Sequence, residues 1–255
     1  MILKKTQALL GAGVLDYYFQ TKHDAVTGAI VGAEALSRYI TKDGEVILPF
    51  RYIPEFQTKE EIAEFDFFTL GSVLSFLGDW QNNDLINDRR VPVSVNFSKS
   101  TFERENFFKR FEQTTSSYNI NPELINIEIT ESNRFRDFAY VSKVVGSLRE
   151  KGYGVSIDDY GMNSSAFSII RHVDVDVLKV DRELIVLGES DRKTRIIFES
   201  AVDLAKKLNI SVVAEGVETE SQLQMARDIG CDTIQGWYFS KPMPKEKFFE
   251  FVAEY

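Results

Sequence analysis

Gly154-Val155-Ser156-Ile157-Asp158-Asp159-Tyr160-Gly161 reads as a short buried strand that ends in two adjacent carboxylates. Asp is a poor strand former, and two neighbouring charges are costly to desolvate. A strand that carries them to its tip delivers them somewhere polar. Taken alone, Asp-Asp-Tyr-Gly also suits a turn or a helix cap. The wider chain argues for more, because an apolar strand tipped by a polar residue recurs along it.

Working outward, strands alternate with helices. Val91–Phe97, Leu124–Thr130, Gly154–Asp158, Val175–Val180, Ile210–Ala214 and Thr233–Phe239 read as strands. Helices are expected over Thr101–Thr114, Asp137–Lys151, Ser165–Arg171, Arg192–Leu208, Thr219–Gly230 and Lys245–Ala253, with a short leading helix over residues 3–11. Asn82–Arg90 is polar and reads as a loop. Thr58 with Glu61, and Thr219 with Gln222, have the spacing of capping boxes that start helices. Near the start, Asp16–Lys22 and Ala29–Arg38 are joined closely enough to pair antiparallel. Alternation of this kind implies parallel pairing, and about eight strands in 255 residues suggest an α/β, TIM-like (β/α)₈ barrel with one antiparallel strand near the start. An open doubly wound sheet is the rival. No Gly-x-Gly-x-x-Gly fingerprint follows any strand, which weakens it. No internal repeat or linker interrupts residues 1–255, so a single domain is expected.

Composition narrows the chemistry. A net charge of −9 argues against binding a nucleic-acid polymer. No apolar run reaches membrane-spanning length, and the start lacks the pattern of a signal peptide. The single cysteine, Cys231, excludes an internal disulfide, so a cytoplasmic location is expected; a cytoplasmic module cut from a larger protein fits equally. With only His23 and His172, a His-rich zinc site or a Ser-His-Asp triad is hard to assemble. Any bound metal would be held by carboxylates and amides, which suit magnesium or manganese.

In a barrel the site lies at the carboxyl ends of the strands. Those ends carry Glu34, Asn96, Glu128, Asp158 with Asp159, Lys179, Glu215 and Gln235. Ser94, Asn126 and Ser156 lie two positions before Asn96, Glu128 and Asp158, on the same face, as a supporting polar layer would. Each residue alone has a plainer explanation: Lys179 snorkelling from the sheet, Glu215 a loop charge, Gln235 a satisfied core amide. A solvated face does not explain their gathering at one end of successive strands. Such a donor set suits two hard cations about 3.5–4 Å apart, an apparatus for cleaving phosphate esters.

The ordered motifs resemble the EAL domain of cyclic di-GMP phosphodiesterases. Glu34-Ala35-Leu36-Ser37-Arg38 matches the motif that names the family. It is followed by Val95-Asn96-Phe97-Ser98, Glu128-Ile129-Thr130-Glu131-Ser132, Asp158-Asp159-Tyr160-Gly161, Leu178-Lys179-Val180-Asp181, Ala214-Glu215-Gly216-Val217-Glu218-Thr219 and Gln235-Gly236-Trp237-Tyr238-Phe239-Ser240-Lys241-Pro242. The resemblance runs from about Tyr17 to Pro244. It implies hydrolysis of cyclic di-GMP to linear pGpG with two magnesium or manganese ions. Carried over by motif, Glu34, Asn96, Glu128, Asp158 and Asp159 would be metal ligands, and Lys179 and Glu215 would position or activate water. Gln20, Leu36, Arg38, Gln235 and Glu218 would contact substrate, and Glu131 would brace the loop after Asp159. The resemblance also allows a homodimer and attached sensory or cyclase domains.

Two stretches depart from the family pattern. Gln20-Thr21 stands where the family has Gln-Pro. After the twin aspartates, Met162-Asn163-Ser164 replaces Thr-Gly-Tyr. That loop helps seat the second metal, so its change points to slow turnover. It also sustains an alternative reading, a catalytically weak or inactive relative acting as a cyclic di-GMP receptor or a protein-interaction module. A sugar- or acid-processing barrel outside the family survives only if the ordered motifs are coincidence.

Overall fold

The structure, a computed structural model, describes residues 2–84, 86–130, 135–161 and 166–255. Ten strands run in chain order as β1 (Gly13–Asp24), β2 (Ile30–Thr41), β3 (Val46–Ile47), β4 (Val93–Phe97), β5 (Ile125–Thr130), β6 (Gly154–Tyr160), β7 (Val177–Val180), β8 (Ser211–Glu215), β9 (Thr233–Gln235) and β10 (Met243–Pro244). The helices are α1 (Ile2–Leu10), α2 (Lys59–Gln81), α3 (Lys99–Phe102), α4 (Phe107–Thr115), α5 (Phe138–Glu150), α6 (Ala166–His172), α7 (Arg182–Gly188), α8 (Arg192–Lys207), α9 (Glu220–Ile229) and α10 (Lys245–Glu254).

Eight of the strands close into a barrel. The order β1-β9-β8-β7-β6-β5-β4-β2 is completed by β1 pairing back with β2, while β3 and β10 add short pairs outside the ring. The contacts from β2 through β4 and on to β9 are parallel. β1 is antiparallel to both of its neighbours, β2 and β9. The expected barrel with one reversed strand is therefore what forms, and the open-sheet rival is excluded.

Strand alternation sorts the side chains. In β4, Val93, Val95 and Phe97 alternate with Ser94 and Asn96. Phe97 packs with Phe67, Phe107 and Phe111 in the layer between sheet and helices. Burying rings of this size supplies the bulk of the core's hydrophobic stabilisation. Both expected capping boxes form. Glu61 N donates to Thr58 Oγ1 at 3.2 Å and Thr58 N to Glu61 Oε2 at 3.0 Å, and Thr219 and Gln222 repeat the exchange.

The structure corrects several boundaries. The helix expected over Thr101–Thr114 is two helices, α3 and α4, because the polar Glu103–Asn106 stretch carries a turn in which Phe107 N donates to Arg104 O. α7 was not foreseen; Asp181 caps it by accepting from Glu183 N. The last barrel strand ends at Gln235 rather than Phe239. Gly236 lies so close to Val217 that a Cβ there would stand 2.0 Å from Val217 O, and the chain turns.

Candidate active site

The strand tips converge as expected. Glu34, Glu128 and Asp158 place carboxylate oxygens within 4.8 Å of one another, and Asp158, Asp159 and Glu215 form a second such group that shares Asp158. Adjacent strand residues normally point to opposite faces. Asp158 and Asp159 nonetheless reach one cluster because the pairing of β6 with β7 shifts register between Ile157 and Tyr160. Asp159 also takes a left-handed backbone, φ 60°. A bulge of this kind re-aims a side chain, and Asp accepts positive φ more readily than most residues.

Lys179 stands at the centre. Its side chain is 1% exposed, and Nζ lies 2.5 Å from Glu128, 2.8 Å from Glu215, 3.0 Å from Asp158 and 3.3 Å from Glu34. It does not snorkel. Burial favours the neutral amine, but Asp158, Glu128, Glu215 and Glu34 together raise its pKa well above the ordinary lysine value. Asn96 Nδ2 donates to Glu34 Oε1 at 2.8 Å, and Gln235 Nε2 donates to Glu34 Oε2 at 2.7 Å.

The carboxylates are held unequally. Burial raises the Glu34 pKa, reinforced by Glu128. Burial likewise raises Glu215 well above the carboxylate range, against the pull of Lys179. Asp159 is pushed up to about 6 by burial and by Asp158. Glu128 goes down: burial opposes ionisation, but Lys179 and Lys22 outweigh it and lower its pKa to about 2.

Sequence reading missed Lys22. Its Nζ donates to Glu128 Oε1 at 2.6 Å and Ser94 Oγ at 2.7 Å. The signal was present, since Lys22 lies two residues after Gln20 on the same face of β1. Beneath the carboxylates the expected supporting layer is real: Asn126 Nδ2 donates to Ser94 Oγ at 3.0 Å and Ser156 Oγ at 2.7 Å. Gly154 makes room for it, because a Cβ there would lie 2.7 Å from Asn126 Oδ1.

Asp66 was also missed. It projects from α2 and accepts from Ser98 N at 2.9 Å and Ser98 Oγ at 3.3 Å, just past Asn96. Burial pushes its carboxyl up to about 7, with the Thr101 hydroxyl and then Ser98 pulling the other way. An acid at 66 among Ile62, Phe65, Leu70 and Val73, on the buried side of a helix, was the available clue.

Two clefts flank the cluster. One of about 610 Å³ is lined by Leu36, Phe56, Asp66, Asn96, Ser98 and Lys99 among others. The other, about 240 Å³, holds Gln20, Leu36, Glu215, Glu218, Gln235 and Trp237. Leu36 borders both. Of the expected substrate residues, Gln20, Leu36, Glu218 and Gln235 therefore meet in one cleft. Arg38 lines neither: it is buried, donates to Ser37 O at 2.8 Å and lies 5.4 Å from the centre of the Tyr18 ring. Glu131 and the loop Met162-Asn163-Ser164-Ser165 lie outside the described residues.

The arrangement suits hard cations. Five carboxylates face two ammonium groups, every candidate donor is oxygen, and the buried Gln235 Oε1 beside Glu34 has no hydrogen-bond partner.

Known proteins resemble this chain in sequence and fold. The signalling protein YkoW of Bacillus subtilis is 29% identical over 245 residues, covering 93% of this chain and 29% of its own length. The probable cyclic di-GMP phosphodiesterase PdeB of Escherichia coli is 31% identical over 238 residues, covering 93% of this chain and 44% of PdeB. The chain thus spans less than half the length of either curated relative. The solved PaMucR phosphodiesterase in complex with c-di-GMP, 27% identical, superposes with a TM-score of 0.86 over 97% of this chain and 99% of that one. The EAL domain model matches residues 4–242, and with the strand-tip cluster in place the chain belongs to the EAL domain family.

Proposed function

We propose that this protein hydrolyses cyclic di-GMP to linear pGpG, using two magnesium or manganese ions. The observation that carries the reading is the pair of carboxylate triplets sharing Asp158 at the barrel mouth. Glu34, Glu128 and Asp158 would hold one ion, with Asn96 adding an amide oxygen, and Asp158 and Asp159 would hold the other, with Glu215 beside them. Bound divalent cations supply Lewis-acid polarisation of the phosphoryl oxygens and lower the pKa of water. Gln235 and Asn96 orient Glu34 through their hydrogen bonds. Lys179 keeps its charge in the centre and holds water at Nζ. Glu215, at the partly exposed rim, takes the water's proton as the water oxygen bonds to phosphorus. The P–O3′ bond breaks, a proton returns to O3′, and a 5′-phosphate remains on the linear product.

The changed loop supports a second reading, in which the dinucleotide is bound and turned over slowly or not at all, as in a receptor or interaction module. The single buried thiol, Cys231, suits a cytoplasmic location, and relatives of greater length suit attached sensory or cyclase domains. One experiment separates enzyme from receptor: incubation of the purified chain with cyclic di-GMP and manganese, with chromatography of the products. pGpG formation supports the enzyme; tight metal-dependent binding without product supports the receptor; neither would sink both.

A further inference from the structure

The protein has two tryptophans of opposite kind. Trp80 is fully buried between Phe76 and Phe248, whereas Trp237 is 54% exposed. Trp237 borders the smaller cleft beside Glu215 and Glu34, both members of the carboxylate cluster. Its backbone is pinned. Gly236 abuts Val217 too closely for any side chain, Val217 N donates to Gln235 O at 3.3 Å, and Tyr238 N donates to Val217 O at 3.0 Å. The Tyr238 hydroxyl donates to the Glu220 carboxylate one residue further on. The indole is thus presented from a fixed turn. Lys241 Nζ sits 4.8 Å from its ring centroid, over one face. The Arg182–Glu218 ion pair, 3.0 Å long, lines the same cleft. In the larger cleft the aromatic rings Phe56, Phe65 and Phe97 are buried in the core and present no such exposed surface.

We infer that Trp237 is a stacking platform for one purine of the substrate. This rests on the cyclic di-GMP reading and deepens it: a phosphodiester seated at Glu34 and Glu215 has its attached nucleoside beside the indole, and the other nucleoside meets the larger cleft, whose rings are buried. The two bases are then held by different chemistry, one by an exposed π face backed by a cation and the other by Leu36, Asp66 and the Ser98 turn. Stacking of a base on an aromatic ring tolerates base identity but demands a flat π system.

The test uses the full chain with calcium in place of magnesium for binding, and manganese for turnover. Because Trp80 is sealed in the core, any change in tryptophan emission on adding cyclic di-GMP reports Trp237. Saturable quenching with the same Kd as calorimetry is expected. Trp237→Ala should raise Kd and KM about tenfold to a hundredfold while kcat changes less than about threefold. Trp237→Phe should restore KM to near the parent value. Unchanged emission in the parent, or a Trp237→Ala variant that binds as tightly as the parent, overturns the inference while leaving the activity standing. Absence of cyclic di-GMP binding to the parent by calorimetry would instead remove the reading on which it rests, and the inference with it.

Discussion

Two polar layers lie inside the barrel, the lower on β4, β5 and β6 and the upper at the tips of those and neighbouring strands, and they are built on opposite principles. The lower layer, Ser94, Asn126 and Ser156, is neutral and bonds to itself. The upper layer, Glu34, Glu128, Asp158, Asp159 and Glu215 around Lys179, carries more acid than base. Lys22 joins the two, donating to Ser94 below and Glu128 above. A satisfied neutral network stabilises a fold by itself. A buried layer with more acid than base is complete only when something positive arrives, so under the proposed function the upper layer would hold the ions and the lower would support it.

The largest effect should come from Lys179→Met, which removes the central cation of the upper layer. Removing one partner of a buried ion pair typically costs about 3–5 kcal/mol. The metal-free variant should therefore melt at least about 6 °C below the parent, and added manganese should raise its Tm by more than it raises the parent's. Hydrolysis should be lost. Equal metal-free Tm values, measured calorimetrically, would mean the upper layer is not electrostatically strained.

Glu34→Gln comes next. The change keeps volume but removes a ligand charge. Loss of a residue that merely supports a metal ligand costs about 10- to 100-fold, so loss of a ligand should lower kcat by about a hundredfold or more. Because burial and Glu128 already disfavour the Glu34 anion, the metal-free Tm at neutral pH should stay level or rise. Parent-like hydrolysis would remove Glu34 from the site.

Asp66 sharpens the contrast at the edge of the upper layer. Its folded pKa of about 7 lies above the ordinary 3.8. Its contribution to stability is therefore fully present below about pH 4 and is lost as pH rises through about 7. Asp66→Asn should flatten that part of the stability–pH curve, by up to about 4 kcal/mol between those limits. Parallel curves for the two proteins in urea titrations would show that the carboxyl ionises normally.

The smallest effect belongs to the lower layer. Ser156→Ala removes one acceptor of Asn126 and leaves Ser94 as the other. A loss of about 1 kcal/mol is expected, with kcat within about twofold of the parent. A large fall in kcat with little loss of stability would show that the lower layer takes part in chemistry.

Much of this was legible from local pattern. Period two put Ser94, Asn126 and Ser156 below the strand tips, and Thr58 with Glu61 announced a capping box that both hydrogen bonds confirm. Asp66 was harder to read, because a helix pattern shows that a position is inward but not which loop it will meet. Lys22 was passed over because a lysine on an early strand has no partner in view until the barrel closes.

By itself, the sequence determined the alternation of strands and helices, the one reversed strand, the family, and which residue types stand at the strand ends. These depend on periodicity and on ordered motifs, which are properties of short stretches. Only the tertiary structure decided that Asp158 and Asp159 share one cluster through a bulge, that Lys179 faces four carboxylates at once, and that Gln235 grips Glu34 from 201 residues away. The physical reason is closure. β1 pairs with both β2 and β9, and that ring brings the first and last strands together, so distances between groups remote in the chain follow from how the sheet shuts rather than from any local preference.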